Sequence, residues 1–126
     1  MLGESTVVAT LAVNDINRAK EFYGATLGLK QMDENPGGVM YASGDGKLFV
    51  YQSQTAGSGQ ATCASWNVDD VQSVVDDLKG KGVSFEHYDN MPGVTLEGDL
   101  HVMGPSKSAW FKDPDGNILN VVSMGQ

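Results

Sequence analysis

Apolar and polar positions recur along this chain in two similar blocks. Thr6–Val13 (T-V-V-A-T-L-A-V) is apolar and β-branched, which predicts a buried strand. Asn14 or Asp15 can then cap a helix. Ile16, Ala19, Tyr23 and Leu27 fall at helical spacing, so a helix is expected over Asp15–Leu27, stopped by Gly28. Leu29–Asp33 reads as a short strand, Asn35-Pro-Gly-Gly38 as a turn, and Val39–Ser43 with Lys47–Ser53 as a hairpin around Gly44-Asp45-Gly46. A polar linker follows, Gln54–Gln60. The order then repeats. Thr62–Val68 is a strand, and Asp69 or Asp70 caps a helix reaching Lys79 with Val71, Val74, Val75 and Leu78 on one face. Val83–Tyr88 is a strand, and Asp89–Lys107 reads as one long loop, a binding loop or lid. Ser108–Lys112 and Asn117–Ser123 close the pattern as a hairpin around Asp113-Pro-Asp-Gly116.

The repetition extends to single residues. Val13, Asp15, Ile16, Ala19 and Tyr23 match Val68, Asp70, Val71, Val74 and Leu78 at a constant offset of 55. Gly28-Leu29 returns as Gly82-Val83, and Ser43-Gly-Asp-Gly46 as Asp113-Pro-Asp-Gly116. A unit that cannot bury its apolar face alone implies two halves packed around shared space. The expected fold is α+β: two βαβββ modules forming a curved sheet around a shared cavity. One domain is expected, with module one at 5–53, the linker at 54–60 and module two at 61–124.

Strand alternation assigns faces. Leu11 and Val13 are expected against the first helix, and Trp66 and Val68 against the second. The opposite, concave face then takes Val8, Thr10 and Ala12 in one module and Cys63, Ser65 and Asn67 in the other. Leu119 and Val121 face a helix, while Ile118, Asn120 and Val122 face the concavity. In the first module the same reading sends Phe49 and Tyr51 to the core, and Leu48, Val50 and Gln52 to the concavity. Met40 and Trp110 occupy equivalent hairpin positions on the concave side, where Trp110 can stack on a planar ligand.

Composition narrows the partners. The chain of 126 residues carries 8 basic and 16 acidic side chains, a formal charge of −8, which disfavours nucleic acid. That charge suits a cationic ligand, although acidity serving solubility alone is the simpler account. No apolar stretch approaches the ~20 residues needed to span a bilayer, so no membrane association is expected. Met1-Leu-Gly-Glu lacks the basic start and apolar run of a signal peptide, and a single cysteine excludes an internal disulfide. Together these favour the cytoplasm.

Three stretches resemble a known superfamily. Leu11-Ala-Val-Asn-Asp-Ile-Asn-Arg-Ala-Lys-Glu-Phe-Tyr23 with Leu27-Gly-Leu29 resembles the opening of the vicinal oxygen chelate superfamily. Trp66-Asn-Val-Asp-Asp-Val71 resembles its second-module opening, and Phe111-Lys-Asp-Pro-Asp-Gly-Asn117 its closing hairpin. This group includes glyoxalase I, bleomycin-resistance proteins, fosfomycin-resistance transferases, methylmalonyl-CoA epimerase and extradiol dioxygenases. The resemblance covers essentially the whole chain and implies the fold and a homodimer. It leaves function open, because the fold hosts enzymes and pure binders alike.

In the enzymes of that group, four concave-face positions hold a divalent metal. Carried over to this sequence they are Val8, Val50, Cys63 and Asn120, with neither histidine nor carboxylate among them. Such metals take imidazole nitrogen and carboxylate oxygen, and a catalytic site needs about three protein ligands. No metal and no cofactor are therefore expected.

The remaining chemistry is sparse. His87 reads as a surface histidine, and His101 as a loop residue able to lean over the cavity. Cys63 has no base or cation placed beside it by the sequence. The glycines form no G-x-G-x-x-G opening a helix. The expected function is metal-free sequestration of a small organic molecule, cationic or planar. Its lining would be Val8, Thr10, Met40, Val50, Cys63, Ser65, His101, Trp110 and Asn120. The alternative is a glyoxalase-like lyase or isomerase using non-metal chemistry, with Cys63 and His101 or the hydroxyl of Thr10 or Ser65 as candidates.

Overall fold

In the computed structural model, which describes residues 2–5 and 7–123, strand β1 (Ala9–Val13) opens the first of two compact units. Thr6, expected to begin that strand, lies outside the described residues, as does the end of the second module at 124. The first unit is Met1–Cys63 together with Asp113–Asn117. Asp15 caps the helix that follows: its Oδ1 accepts from the backbone N–H of Asn17 at 3.0 Å and of Arg18 at 3.2 Å. Helix α1 spans Ile16–Lys20 and widens into a π-helical turn over Glu21–Thr26, where the Leu27 N–H reaches the Phe22 carbonyl at 2.9 Å. Gly28, at φ 78°, ends it as expected.

Strands β2 (Lys30–Asn35), β3 (Gly38–Ser43) and β4 (Gly46–Gln52) complete a sheet of order β1-β4-β3-β2. β1 runs parallel to β4, and the other pairs are antiparallel. The parallel register sets Leu11 beside Val50, and β3 sets Val39 beside Val50 and Tyr41 beside Leu48. All six of Leu11, Val13, Val39, Tyr41, Leu48 and Val50 are buried, with Ala19 and Tyr23 of the helical segment. This corrects the expected faces of β4. Val50 and Leu48 pack on the helix side, and Phe49 and Tyr51 lie on the open face. The cause is that Leu-Phe-Val-Tyr is apolar at both parities, so its own pattern cannot choose a face. The neighbouring strands choose it.

The second unit comprises Ala64–Lys112 and Ile118–Gln126. Its strands are β5 (Thr62–Asn67, of which Thr62 and Cys63 fall in the first unit), β6 (Phe85–Glu86), β7 (Thr95–Glu97), β8 (Leu100–Met103), β9 (Ser106–Lys112) and β10 (Ile118–Ser123). The sheet order is β5-β10-β9-β8-β7, and β6 also pairs with β9. Helix α2 (Val71–Gly80) is capped by Asp70, which accepts from the Ser73 N–H at 3.1 Å. Val71, Val75 and Leu78 are buried, as are Ala109, Phe111, Leu119 and Val121 on the strands that α2 packs against.

Asp89–Lys107 is not one long loop. It contains the β7–β8 hairpin, closed by Gly98-Asp99 with Gly98 at φ 66°, and the β8–β9 hairpin, closed by Gly104-Pro105 with Gly104 at φ 57°. Two-residue turns with a leading glycine join antiparallel strands readily. Gln54–Gln60 is likewise no loose tether. Gly57, at φ 68°, presses against the backbone carbonyl of Asp115 so closely that a Cβ would overlap it.

Candidate functional site

Each unit leaves one sheet face away from its helix. On the first, Phe49 stands beside Thr10 on one neighbouring strand and Met40 on the other, while Tyr51 stands beside Ala12. The Phe49 and Tyr51 rings are nearly parallel, 10° between planes with centroids 6.3 Å apart. Ala12, Met40, Phe49 and Tyr51 are half-buried, Val8 likewise, and Thr10 is exposed with its hydroxyl donating to the Val8 carbonyl at 3.3 Å. This face is therefore an apolar and aromatic surface that retains access to solvent. Cys63 is exposed, and its thiol lies 3.8 Å from the Ala61 carbonyl and 3.9 Å from Asn117 Oδ1. Both are acceptors, and neither can serve as a base.

On the second unit, Trp110 stands beside Asn120 on β10 and Glu86 on β6, and His101 beside Ser108 and Leu96. His101 is thus a strand residue rather than a loop residue. Its ring meets Trp110 edge-on, centroids 4.8 Å apart at 87°. Tyr88 completes the cluster, 5.6 Å from Trp110 and 5.7 Å from His101. His101 is only 3 % exposed, and its Nε2 accepts the Tyr88 backbone N–H at 2.8 Å. Burial pushes the imidazole below its usual 6.5, helped by the neighbouring charge of His87 and opposed by the carbonyls of Ser108 and Asp99. Asn120 is buried and donates through Nδ2 to the carbonyl of Ala109 at 3.2 Å. Ser65 is exposed, and Glu86 carries Lys112 3.7 Å away. His87, as expected, is a surface side chain, bonded to Asp99 at 2.7 Å.

The structure thus groups Thr10 and Met40 around Phe49, and His101 beside Trp110, which pairs with Asn120. It removes Val50 from the open face. Sequence reasoning missed Phe49, Tyr51 and Tyr88. No local signal marked the first pair, because β4 is apolar at both parities and its facing was set by the register with β1 and β3. Tyr88 was placed on a strand, but nothing local marked its ring as part of the cluster.

The donor set does not fit a divalent metal. Among the described residues no group of three His, Cys, Asp or Glu side chains converges. Val8 offers no donor, and the open face of β4 offers Phe49 and Tyr51 rather than a carboxylate. Asn120, with its Nδ2 donating to backbone carbonyls, could lend a metal one amide oxygen at most, and His101 Nε2 is occupied by the Tyr88 amide.

Two βαβββ units, each with an open sheet face, define the class: small α+β proteins of paired modules. The family model described as the Glyoxalase/Bleomycin resistance protein/Dioxygenase superfamily matches residues 6–121, and the chain belongs to that superfamily. An uncharacterized protein of Bacillus subtilis (strain 168), YraH, is 28% identical over 129 residues, covering 90% of this chain and 94% of that one. The solved structure of TnmS3, an antibiotic binding protein from Streptomyces sp. CB03234, shares the fold at TM-score 0.73 and 24% identity, covering 98% of each chain. A glyoxalase/bleomycin resistance protein from the same Streptomyces is similar at TM-score 0.66 and 25% identity, covering 93% of this chain and 98% of that one. No helix of the described residues is long and apolar enough to cross a membrane.

Proposed function

We propose that this protein binds a small, planar organic molecule on its open sheet faces without a metal ion, and sequesters it rather than transforming it. The observation that carries this reading is the apolar and aromatic make-up of the open faces, where Phe49 stands between Thr10 and Met40 and Tyr51 beside Ala12, while His101 Nε2 and Asn120 Nδ2 are committed to backbone groups. Phe49, Tyr51 and Met40 on one unit, and Trp110 with Tyr88 on the other, offer stacking surface. The formal charge of −8 favours a cationic guest over an anionic one. A fold-mate that is an antibiotic binding protein supports the capacity of the architecture for such a guest. Homodimer formation, implied by the family resemblance, belongs to the same proposal.

A thermal-shift panel of bleomycin, other cationic aromatic natural products, glutathione adducts and divalent metals tests this. A ligand at 100 times its Kd stabilises by about 2.7 kcal/mol, an easily measured shift. Stabilisation by an aromatic compound, abolished in Trp110→Ala or Tyr51→Ala variants that keep the unliganded Tm, supports the proposal. Stabilisation by a divalent metal, or metal-dependent turnover of a glutathione adduct, overturns it. Ser65→Phe should fold normally, since Ser65 is exposed, and should weaken binding if β5 borders the guest.

A further inference from the structure

We infer that His101 is a positioning residue with a built-in acid response: as a neutral imidazole it holds Tyr88 and Trp110 in place on the open face of the second sheet, and protonation releases them. The consequence for ligand binding rests on the function proposed above; the structural response does not.

The argument starts at the outer edge of β9, which two strands share in succession. β6 pairs with Phe111 and Trp110, and β8 takes over at Ser108. Between them the chain departs through His87 and Tyr88. The Tyr88 N–H, just past the end of β6, is received by His101 Nε2 at 2.8 Å. A backbone N–H can only donate, so Nε2 must carry a lone pair and the ring proton must sit on Nδ1. Nδ1 is buried and makes no hydrogen bond. The same ring is the edge against which Trp110 rests at 4.8 Å, and Tyr88 touches both. One imidazole thus satisfies an orphan amide and supports two aromatic rings.

Protonation would set an N–H against an N–H at that 2.8 Å contact and bury a cation in a side chain 3 % exposed. The groups facing the ring offer little compensation. From the segment after β6 come His87, itself a potential cation, and the phenol of Tyr88. From the β7–β8 turn comes Asp99, whose carboxylate already receives Lys79 at 2.8 Å and His87 at 2.7 Å. From β9 come Ser108 and Trp110, which do not titrate in this range, and from β7 comes Leu96. The carbonyls of Ser108 and Asp99 favour the cation, but burial outweighs them and the net direction is downward from 6.5. The folded state therefore binds its proton later than the unfolded chain does. Stability from this residue is complete above about 6.5, falls as pH drops toward the lower folded value, and then levels off.

Histidine NMR on the unliganded, full-length protein tests this from neutral to mildly acidic pH. The expected result is a His101 Nδ1–H tautomer at neutral pH and a midpoint below 6.5. The Tyr88 amide and Trp110 indole signals should move with that midpoint, while Trp66 serves as the internal control. His101→Gln retains an acceptor for the Tyr88 amide but cannot titrate, so the response of Trp110 should vanish there. An Nε2–H tautomer, a midpoint at or above 6.5, a Trp110 signal indifferent to His101, or a response persisting in His101→Gln overturns the inference. If that variant fails to fold, the wild-type tautomer and shared midpoint still decide. Any panel compound that binds should lose affinity through the same midpoint. A panel in which nothing binds counts against the proposed function and leaves these signals to judge the switch.

Discussion

Asp113 shows how much a single side chain can organise. It is 4 % exposed, and its two carboxylate oxygens collect four donors: the Tyr23 hydroxyl at 2.7 Å, Asn117 Nδ2 at 2.8 Å, and the backbone N–H of Asp115 and of Asn117, each at 2.9 Å. Burial first, and then the Asp113 charge and hydrogen bond, push Tyr23 ionisation far above its ordinary value, so the phenol stays a donor at every relevant pH. Asn117 extends the network by donating to the Ala12 carbonyl at 2.7 Å. Hydrogen bonds to a charged acceptor are worth about 1.5–3 kcal/mol, and stranded buried donors cost about 1–3 kcal/mol each. Tyr23→Phe should therefore cost about 2 kcal/mol in urea denaturation, since three donors remain. Asp113→Ala should cost about 3 kcal/mol or more, since it strands several at once. Equal losses would show that Asp113 is not the hub. Val50 supplies a second test. Val50→Glu should destabilise by about 3 kcal/mol or more, because it buries a carboxylate beneath α1. Phe49→Glu, on the open face, should cost clearly less, and denaturation midpoints rank the two.

At the scale of elements, the two units differ where one outer strand of the first sheet becomes two in the second. β2 runs unshared along β3, whereas β6 and β8 divide the edge of β9 and the β7–β8 hairpin is added outside. Asp99 in the turn of that hairpin ties it to the last turn of α2 through Lys79. The Gln54–Gln60 connection is anchored by Gly57 against the Asp115 turn. Gly57→Ala would force a side chain into left-handed backbone and into that contact, each at a cost of about 1–2 kcal/mol, so a total loss of about 2–4 kcal/mol is expected from chemical denaturation. A loss near zero would show the segment to be loosely held.

For the whole molecule, membership of the superfamily fixes the architecture and leaves the chemistry to the side chains on it. The purified protein should contain no stoichiometric zinc, nickel, iron or manganese, and elemental analysis checks this. About one equivalent, lost on replacing Cys63 or Asn120, would contradict the reading of the donor set.

The duplicated pattern of apolar positions, a cap at Asn14 or Asp15 and at Asp69 or Asp70, and the glycine that stops the first helix were legible in the chain, because each is a local rule acting over a few residues. The long loop could also have been read as two hairpins, since Gly98-Asp99 and Gly104-Pro105 carry the turn signal. What tertiary structure alone decided was the facing of β4 and the setting of His101. Leu48–Tyr51 is apolar on both sides, so its parity was set by Leu11 of β1 and Val39 of β3 across the sheet. His101 acquired its tautomer from an amide 13 residues away in sequence, brought near only when β8 succeeded β6 along β9, and its depressed basicity from burial in the folded sheet. Local patterns specify which elements form. Register between distant strands specifies which side chains meet, and the candidate site belongs to that second kind of information.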